Sequence, residues 1–262
     1  MEISLKGKNA VVCGSTQGIG KAVAIQFAKC SAKVILIARN EKSLKTVKSE
    51  LDSLSGLKND YIAADFSEPE KLRVKISKYV QSHPPVNILF NNTGGPKAGD
   101  IYKANTKEFI EAFNKHVVCN QILVQAFAEG MKQESYGRII NLISTSVKQP
   151  IKGLGVSNTI RAAVANWSKT LSVELAPFGI TVNNILPGAT KTERLYSLFK
   201  TNAEASGKSF DKIKAEWMKE IPAGRFAEPA ELAYAAAFLA SPYAGYINGV
   251  SLAVDGGRIV CN

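Results

Sequence analysis

Between Val11 and Gly20 the chain reads Val-Val-Cys-Gly-Ser-Thr-Gln-Gly-Ile-Gly, with glycines at 14, 18 and 20. A short apolar run, Ala10 to Val12, precedes the glycines, and helical periodicity follows from Lys21 to Lys29. Glycine at a strand-to-helix turn allows backbone conformations and close approaches that a side chain forbids. Amide groups can then converge on a pyrophosphate, and the N-terminus of the next helix favours its negative charge. Gly14, Ser15, Thr16, Gly18, Ile19 and Gly20 are the residues placed for that work. Ordinary turns also need glycine. The position of this one, inside the first strand–turn–helix, is what points to a dinucleotide.

Other polar residues stand just after apolar runs. Arg39 follows Lys33–Ala38. An acid there would accept hydrogen bonds from the adenosine ribose of NAD; Ala38 is neutral, and Arg39 could pair with a 2′-phosphate, which favours NADP(H) over NAD(H). The plain alternative is a surface arginine capping the strand end. Asp65, followed by Phe66, could accept from an adenine amino group. Asn91-Asn92-Thr93-Gly94-Gly95 is a polar exit able to run against a cofactor, through Asn91 and Gly94. Pro187-Gly188-Ala189-Thr190-Lys191-Thr192 is a turn whose hydroxyls, at Thr190 and Thr192, suit a carboxamide or a phosphate.

These positions need a scaffold that gathers strand ends. Strand-like runs recur at Lys33–Ala38, Asp60–Ala64, Ile88–Asn92, Arg138–Ile143, Ile180–Leu186 and Ser251–Val254. Helical patterns fall between most of them: Gly18–Cys30, Glu41–Leu54, Pro69–Gln81, Thr106–Lys132, Val156–Ala176 and Ala230–Leu239. Strand alternating with helix implies an α/β fold, a doubly wound parallel sheet of the Rossmann type with helices on both faces. Neither a repeat nor a linker divides the chain, so one domain is expected over 1–262. In such folds ligands lie beyond the carboxyl ends of the strands, where the residues above stand.

The totals narrow the function classes. The 262 residues are 45% hydrophobic and 21% charged, ordinary values for a soluble globular protein. No apolar run is long enough to cross a bilayer and the first residues do not read as a signal peptide, so a cytoplasmic protein without membrane contact is expected. Cys13, Cys30, Cys119 and Cys261 form no Cys-x-x-Cys pair, which argues against a metal or a disulfide framework. The net charge of +11 is spread along the chain as lysine, without the dense tract or aromatic interleaving that binds nucleic acid. A solvated basic surface that attracts anionic small molecules is the expectation.

Gly14-x-x-x-Gly18-x-Gly20, Asp65, Asn91-Asn92-x-Gly94, Gly137-Arg138-Ile-Ile-Asn141, Pro187-Gly188, Thr192 and Val254-Asp255-Gly256-Gly257 together resemble the short-chain dehydrogenase/reductase family. The resemblance covers essentially the whole chain and is nearest to members similar to 3-oxoacyl-[acyl-carrier-protein] reductases. It implies hydride transfer between a nicotinamide coenzyme and a carbonyl or alcohol. The family's chemistry uses Asn, Ser, Tyr and Lys, the tyrosine supplying the proton that the nascent alkoxide needs. Ser144 matches the serine. The family's spacing puts the tyrosine at 157 and the lysine at 161, where this chain has Ser157 and Arg161, and alignment of the preceding helix puts His116 where asparagine usually stands.

Serine is several ångströms shorter than tyrosine and far less acidic, so Ser157 cannot simply replace the phenol; it also reads as a helix N-cap. Arg161 lies one turn on and keeps a positive charge, able to bond the nicotinamide ribose or to anchor a substrate carboxylate or phosphate. With a pKa above about 12 it is a poor proton donor. His116, with an unperturbed pKa of about 6.5, can carry a proton near neutrality, or it can be a helix histidine satisfied by a backbone carbonyl. Ser144 can also be an ordinary turn hydroxyl. In this family the segment corresponding to 193–224 covers the substrate, and here it contains Tyr196, Phe199, Phe210, Trp217 and Met218.

Two functions follow. One is an NADP(H)-dependent oxidoreductase on a small carbonyl or alcohol, an acyl thioester among the candidates, with a proton relay through His116 and Ser144. The other is a catalytically silent nucleotide-binding sensor or partner subunit. The resemblance also implies a homotetramer or homodimer built through the long helices.

Overall fold

The computed structural model describes residues 2–261; Met1 and Asn262, the ends of the expected domain, lie outside the described residues. The apolar runs form strands β1 (Asn9–Cys13), β2 (Lys33–Ala38), β3 (Asp60–Ala63), β4 (Ile88–Asn91), β5 (Gly137–Leu142), β6 (Ile180–Pro187) and β7 (Ser251–Val254). They pair in the order β3-β2-β1-β4-β5-β6-β7, all parallel. Side chains alternate across each strand, so the sheet has two apolar faces. Val12, Leu36 and Phe90 face one core, with Phe27 of α1 (Gly18–Lys29), Leu44 of α2 (Glu41–Ser55) and Leu232 of α9 (Pro229–Ala240). Val11, Ile37 and Leu89 face the other, with Ile76 of α3 (Pro69–Ser82), Phe127 of α5 (Cys119–Gln133) and Leu171 of α6 (Gly155–Leu175). The strand order reverses between β1 and β4, the point at whose carboxyl ends folds of this kind bind ligands.

Three stretches differ from the sequence reading. The expected helix Thr106–Lys132 is α4 (Thr106–Phe113), a π-helical turn over Asn114–Val118, then α5. Such a turn inserts one residue into the helical repeat, which apolar spacing does not reveal. The strandless segment 193–224 holds two helices, α7 (Glu193–Ser206) and α8 (Phe210–Lys219), packed round Phe199. Helix α6 starts at Gly155 after Leu154, so Ser157 is its third residue and not its cap. The start is pinned by Gly155 N–H, which donates to the Gly99 carbonyl at 3.2 Å, and by Gly155 packing on Ile101. Among the described residues no helix is long and apolar enough to cross a membrane, and no His/Cys/Asp/Glu group could hold a metal.

Candidate active site

The glycine turn is shaped for close approach. Gly14 and Gly18 have φ of +58° and +53°. A Cβ on Gly20 would stand 2.1 Å from the Gly14 carbonyl oxygen, so only glycine lets α1 begin against the loop. The start of α1 is also left open: Gln17, its N-cap, makes no side-chain cap, and the first turn has no acid. Asn40, Asn105, Thr192 and Ser209 cap α2, α4, α7 and α8, whereas α3 and α6, like α1, have no side-chain cap; of these three, α1 alone follows the glycine turn. Unpaired amides at a helix N-terminus are an anion site.

The neighbouring strand ends close round this turn. Asn92 donates from Nδ2 to the Cys13 and Gly14 carbonyls at 3.3 and 3.4 Å. Thr192 Cγ2 lies 3.3 Å from where a Cβ on Gly18 would stand, which brings the Pro187–Thr192 turn to the mouth of α1. Gly188 packs on Asp255 too tightly for a side chain. The Thr190 and Thr192 hydroxyls donate to the Gly188 and Thr190 carbonyls and brace that turn. Ile19 and Thr16 stay partly accessible, whereas Ser15 is buried and donates to the Ile37 carbonyl at 3.3 Å.

Arg39 stands exposed beyond β2, 3.9 Å from Asp65. Burial would raise the Asp65 carboxyl, yet two hydrogen bonds from Ser67, with Arg39 and Lys115 nearby, hold it below its usual range. Phe66 is a core side chain; its carbonyl accepts from Cys119. Asn91 is turned into the sheet and donates to Asn141, leaving its own Oδ1 buried without a partner. Gly94, three residues on, is exposed in the exit loop.

The remaining residues meet where β4, β5 and α6 converge. Ser144 follows β5 and accepts from the Ser146 N–H at 3.0 Å, which leaves its own hydrogen free to donate. Arg161 is buried and donates from Nη1 to the Leu142 carbonyl at 2.9 Å. Burial, with the charge of Arg194, pushes it down to about 10, so it is still a cation at neutral pH. His116 sits in the π-helical turn, where the wider winding aims a buried side chain inward. Burial carries its ring well below the usual 6.5, the charges of Arg161 and Lys115 add to this, and a hydrogen bond with the Gly94 backbone opposes it. The Nε2 atom is buried without a partner, so the backbone satisfies only part of the ring.

Ser157 lies one turn before Arg161 on the same face. Tyr61, Tyr79 and Tyr136 bond to Glu41, Asp60 and the Ala240 carbonyl, remote from this corner. Tyr102, Tyr234, Tyr243 and Tyr246 are exposed, and Tyr196 of α7 packs on Phe199.

Arg194 is the residue that sequence reasoning missed. From the first turn of α7 it donates to the Pro96 carbonyl at 2.7 Å, latching that helix onto the loop after β4. Its partner lies 98 residues away, so no local pattern marks it.

A parallel sheet of this order, with a glycine turn at its reversal point, defines the class: a doubly wound α/β protein of the Rossmann type. A family model described as enoyl-(acyl carrier protein) reductase matches residues 14–258. The 3-oxoacyl-[acyl-carrier-protein] reductase FabG of Vibrio cholerae is 31% identical over 256 residues, 97% of this chain and 98% of that one. The NADPH-dependent reductase BacG of Bacillus subtilis is 29% identical over 253 residues, 96% of this chain and 98% of that one. The L-sorbose reductase of Gluconobacter frateurii, solved with NADPH and L-sorbose, has a TM-score of 0.93 at 30% identity, covering 100% of each chain. The chain belongs to the short-chain dehydrogenase/reductase family.

Proposed function

We propose that the protein is an NADP(H)-dependent oxidoreductase that interconverts a carbonyl and an alcohol. The open N-terminus of α1 behind a turn that only glycine can form carries this reading. Those amides and the Thr192 turn would hold the pyrophosphate, and Arg39 the 2′-phosphate. When bound, the nicotinamide supplies or accepts the hydride. The relatives named for NADPH-dependent reduction support the same cofactor here.

The chain's own residues supply the rest. The Ser144 hydroxyl, held by the Ser146 amide, donates to the substrate oxygen and orients it. His116 presents one buried nitrogen without a protein partner, and it passes the proton between that oxygen and solvent. Arg161, fixed to β5, holds positive charge beside the developing alkoxide. Helices α7 and α8, latched through Arg194 and Pro96, cover the substrate over 193–224. A single domain and a homodimer or homotetramer fit this reading; Ile110 and Phe113 on α4 and Val173 on α6 are exposed apolar residues that such an interface would bury.

The test is NADPH oxidation with ketones, aldehydes and 3-oxoacyl thioesters, and NADP reduction with alcohols. Turnover that falls in both His116→Ala and Ser144→Ala is expected; turnover untouched by either removes these roles. The absence of a phenol at 157 favours the second reading, a nucleotide-binding sensor or partner subunit. That reading requires tight coenzyme binding with no hydride transfer across the panel.

A further inference from the structure

Seven arginines punctuate the chain. Arg39, Arg73, Arg225 and Arg258 pair with carboxylates, and Arg138 lies over Tyr136 with carbonyl partners. Arg161 and Arg194 differ. Each donates to one backbone carbonyl, and among the described residues no carboxylate lies within 4.0 Å of either. They also converge. A Cβ built on Gly95 would find Arg194 Nη2 at 3.6 Å and Arg161 Nη2 at 3.9 Å as its nearest atoms. Two guanidiniums thus border one open spot, beside the loop that leads from β4 toward the reacting corner.

We propose that Arg161 and Arg194 form a carboxylate subsite against Gly95, and that the substrate is a free oxo or hydroxy acid held by its acid group. This rests on the carbonyl–alcohol reading above and narrows its substrate class. A guanidinium has five donors in a planar fork that matches a carboxylate, and most of these donors are unspent here. Burial pushes both guanidiniums down in pKa, and for Arg161 the charge of Arg194 adds to it; an anion between the two would offset that cost. A neutral acyl thioester would leave both charges uncompensated. Gly95 leaves the spot free, and the latch from Arg194 to Pro96 means that α7 closes over the acid group it binds.

The other anion within reach is the coenzyme's own pyrophosphate, because Thr192, two residues before Arg194, faces Gly18. Two titrations separate the sources. Acetoacetate and methyl acetoacetate, which differ in one charge, are titrated calorimetrically into the protein with and without NADP; NADPH binding is followed separately by fluorescence. We expect acetoacetate to bind about tenfold or more tightly than its ester, as one charge-assisted bidentate contact predicts. Arg194→Gln should cut that preference to about threefold or less, Arg194→Lys should retain part of it, and NADPH affinity should stay within about threefold in both. Equal binding of acid and ester by the unmodified protein, or no binding of either, overturns the subsite. So does an Arg194→Gln variant that loses NADPH affinity while keeping the acid preference. If the unmodified protein binds no NADPH, the cofactor reading fails separately, and the titrations without NADP still decide the subsite.

Discussion

Asn91 Nδ2 donates to Asn141 Oδ1 at 2.9 Å, the first rung of a ladder that crosses the sheet. Asn141 donates in turn to Asn184 at 3.1 Å, and Asn184 to Ser251 Oγ at 3.1 Å. Each pair is opposite in register, so β4, β5, β6 and β7 are pinned at one level. The three asparagines are buried, and a broken rung strands two polar groups out of water. Asn141→Ala orphans Asn91 Nδ2 and Asn184 Oδ1 and should therefore cost about 2–6 kcal/mol, roughly 1–3 for each. Urea unfolding measures it; a loss under about 1 kcal/mol would mean that water takes over the rungs.

Gly20→Ala tests the cradle. The added methyl meets the Gly14 carbonyl at 2.1 Å, and neither backbone segment can give way without moving α1 or the loop. We expect a loss of about 1–3 kcal/mol in stability from overpacking. Coenzyme affinity should fall by about tenfold or more, because the amides no longer converge. Melting curves and fluorescence titration read the two effects independently.

Arg39 should act on one coenzyme only. Its side chain is exposed beyond β2, and among the described residues the one carboxylate within reach, Asp65, is a loose 3.9 Å away. It is free to turn to a 2′-phosphate. Removing a charge-assisted contact worth about 1.5–3 kcal/mol should weaken NADPH by about 10- to 100-fold in Arg39→Ala. NADH binding should barely change. Equal losses for both coenzymes would return Arg39 to the role of a strand-end cap.

His116 should make stability depend on pH in a defined window. Its folded pKa lies well below the usual 6.5, so the folded protein favours the neutral ring. Above 6.5 the ring is neutral in both states and costs nothing. As pH falls below 6.5 the unfolded chain takes up a proton that the folded one refuses, and stability drops by up to about 1.4 kcal/mol per pH unit until the folded pKa is reached. His116→Asn removes this penalty. The stability difference between wild type and His116→Asn should therefore shift toward the variant between pH 6.5 and 5 and be flat above. A flat difference throughout would mean that the ring titrates normally.

The fold was legible because its strands are short apolar runs, several of them closed by glycine or asparagine, as at Gly14, Asn91 and Gly188. Each lies within one or two residues of its expected bounds; Lys33–Ala38 and Ser251–Val254 coincide. The glycine turn was equally legible, since close backbone approach permits no other residue there. What escaped depends on contacts between distant segments. The π-helical turn that redirects His116 adds one residue to a helix whose apolar stripe continues on both sides. Arg194 reads as one more surface charge until Pro96 and Gly95 lie beside it. Asn91 reads as a cofactor contact, and only the register of β4 with β5 reveals that its amide serves the sheet. Ser157 reads as a cap because the Gly99–Leu154 contact that starts α6 early joins segments far apart in the chain.

Restoring the missing phenol tests how this family member manages protons. Position 157 is the third residue of α6, and Arg161, one turn on, lies on the same face and is fixed to the Leu142 carbonyl. The two positions share one face of α6, so they are changed as a pair. Ser157→Tyr with Arg161→Lys provides an acid of ordinary phenolic type beside a compact cation. General acid catalysis by a positioned group contributes about 10²–10⁴-fold, so reduction of neutral methyl acetoacetate with NADPH should rise by about 100-fold in the double variant. Reduction of acetoacetate should suffer in KM, because a lysine ammonium cannot offer a carboxylate the fork that the Arg161 guanidinium does. His116→Ala should then matter less in the double variant than in the native chain, since the proton no longer passes through the imidazole. Were the double variant as dependent on His116 as its parent, the ring would be positioning substrate and not moving a proton.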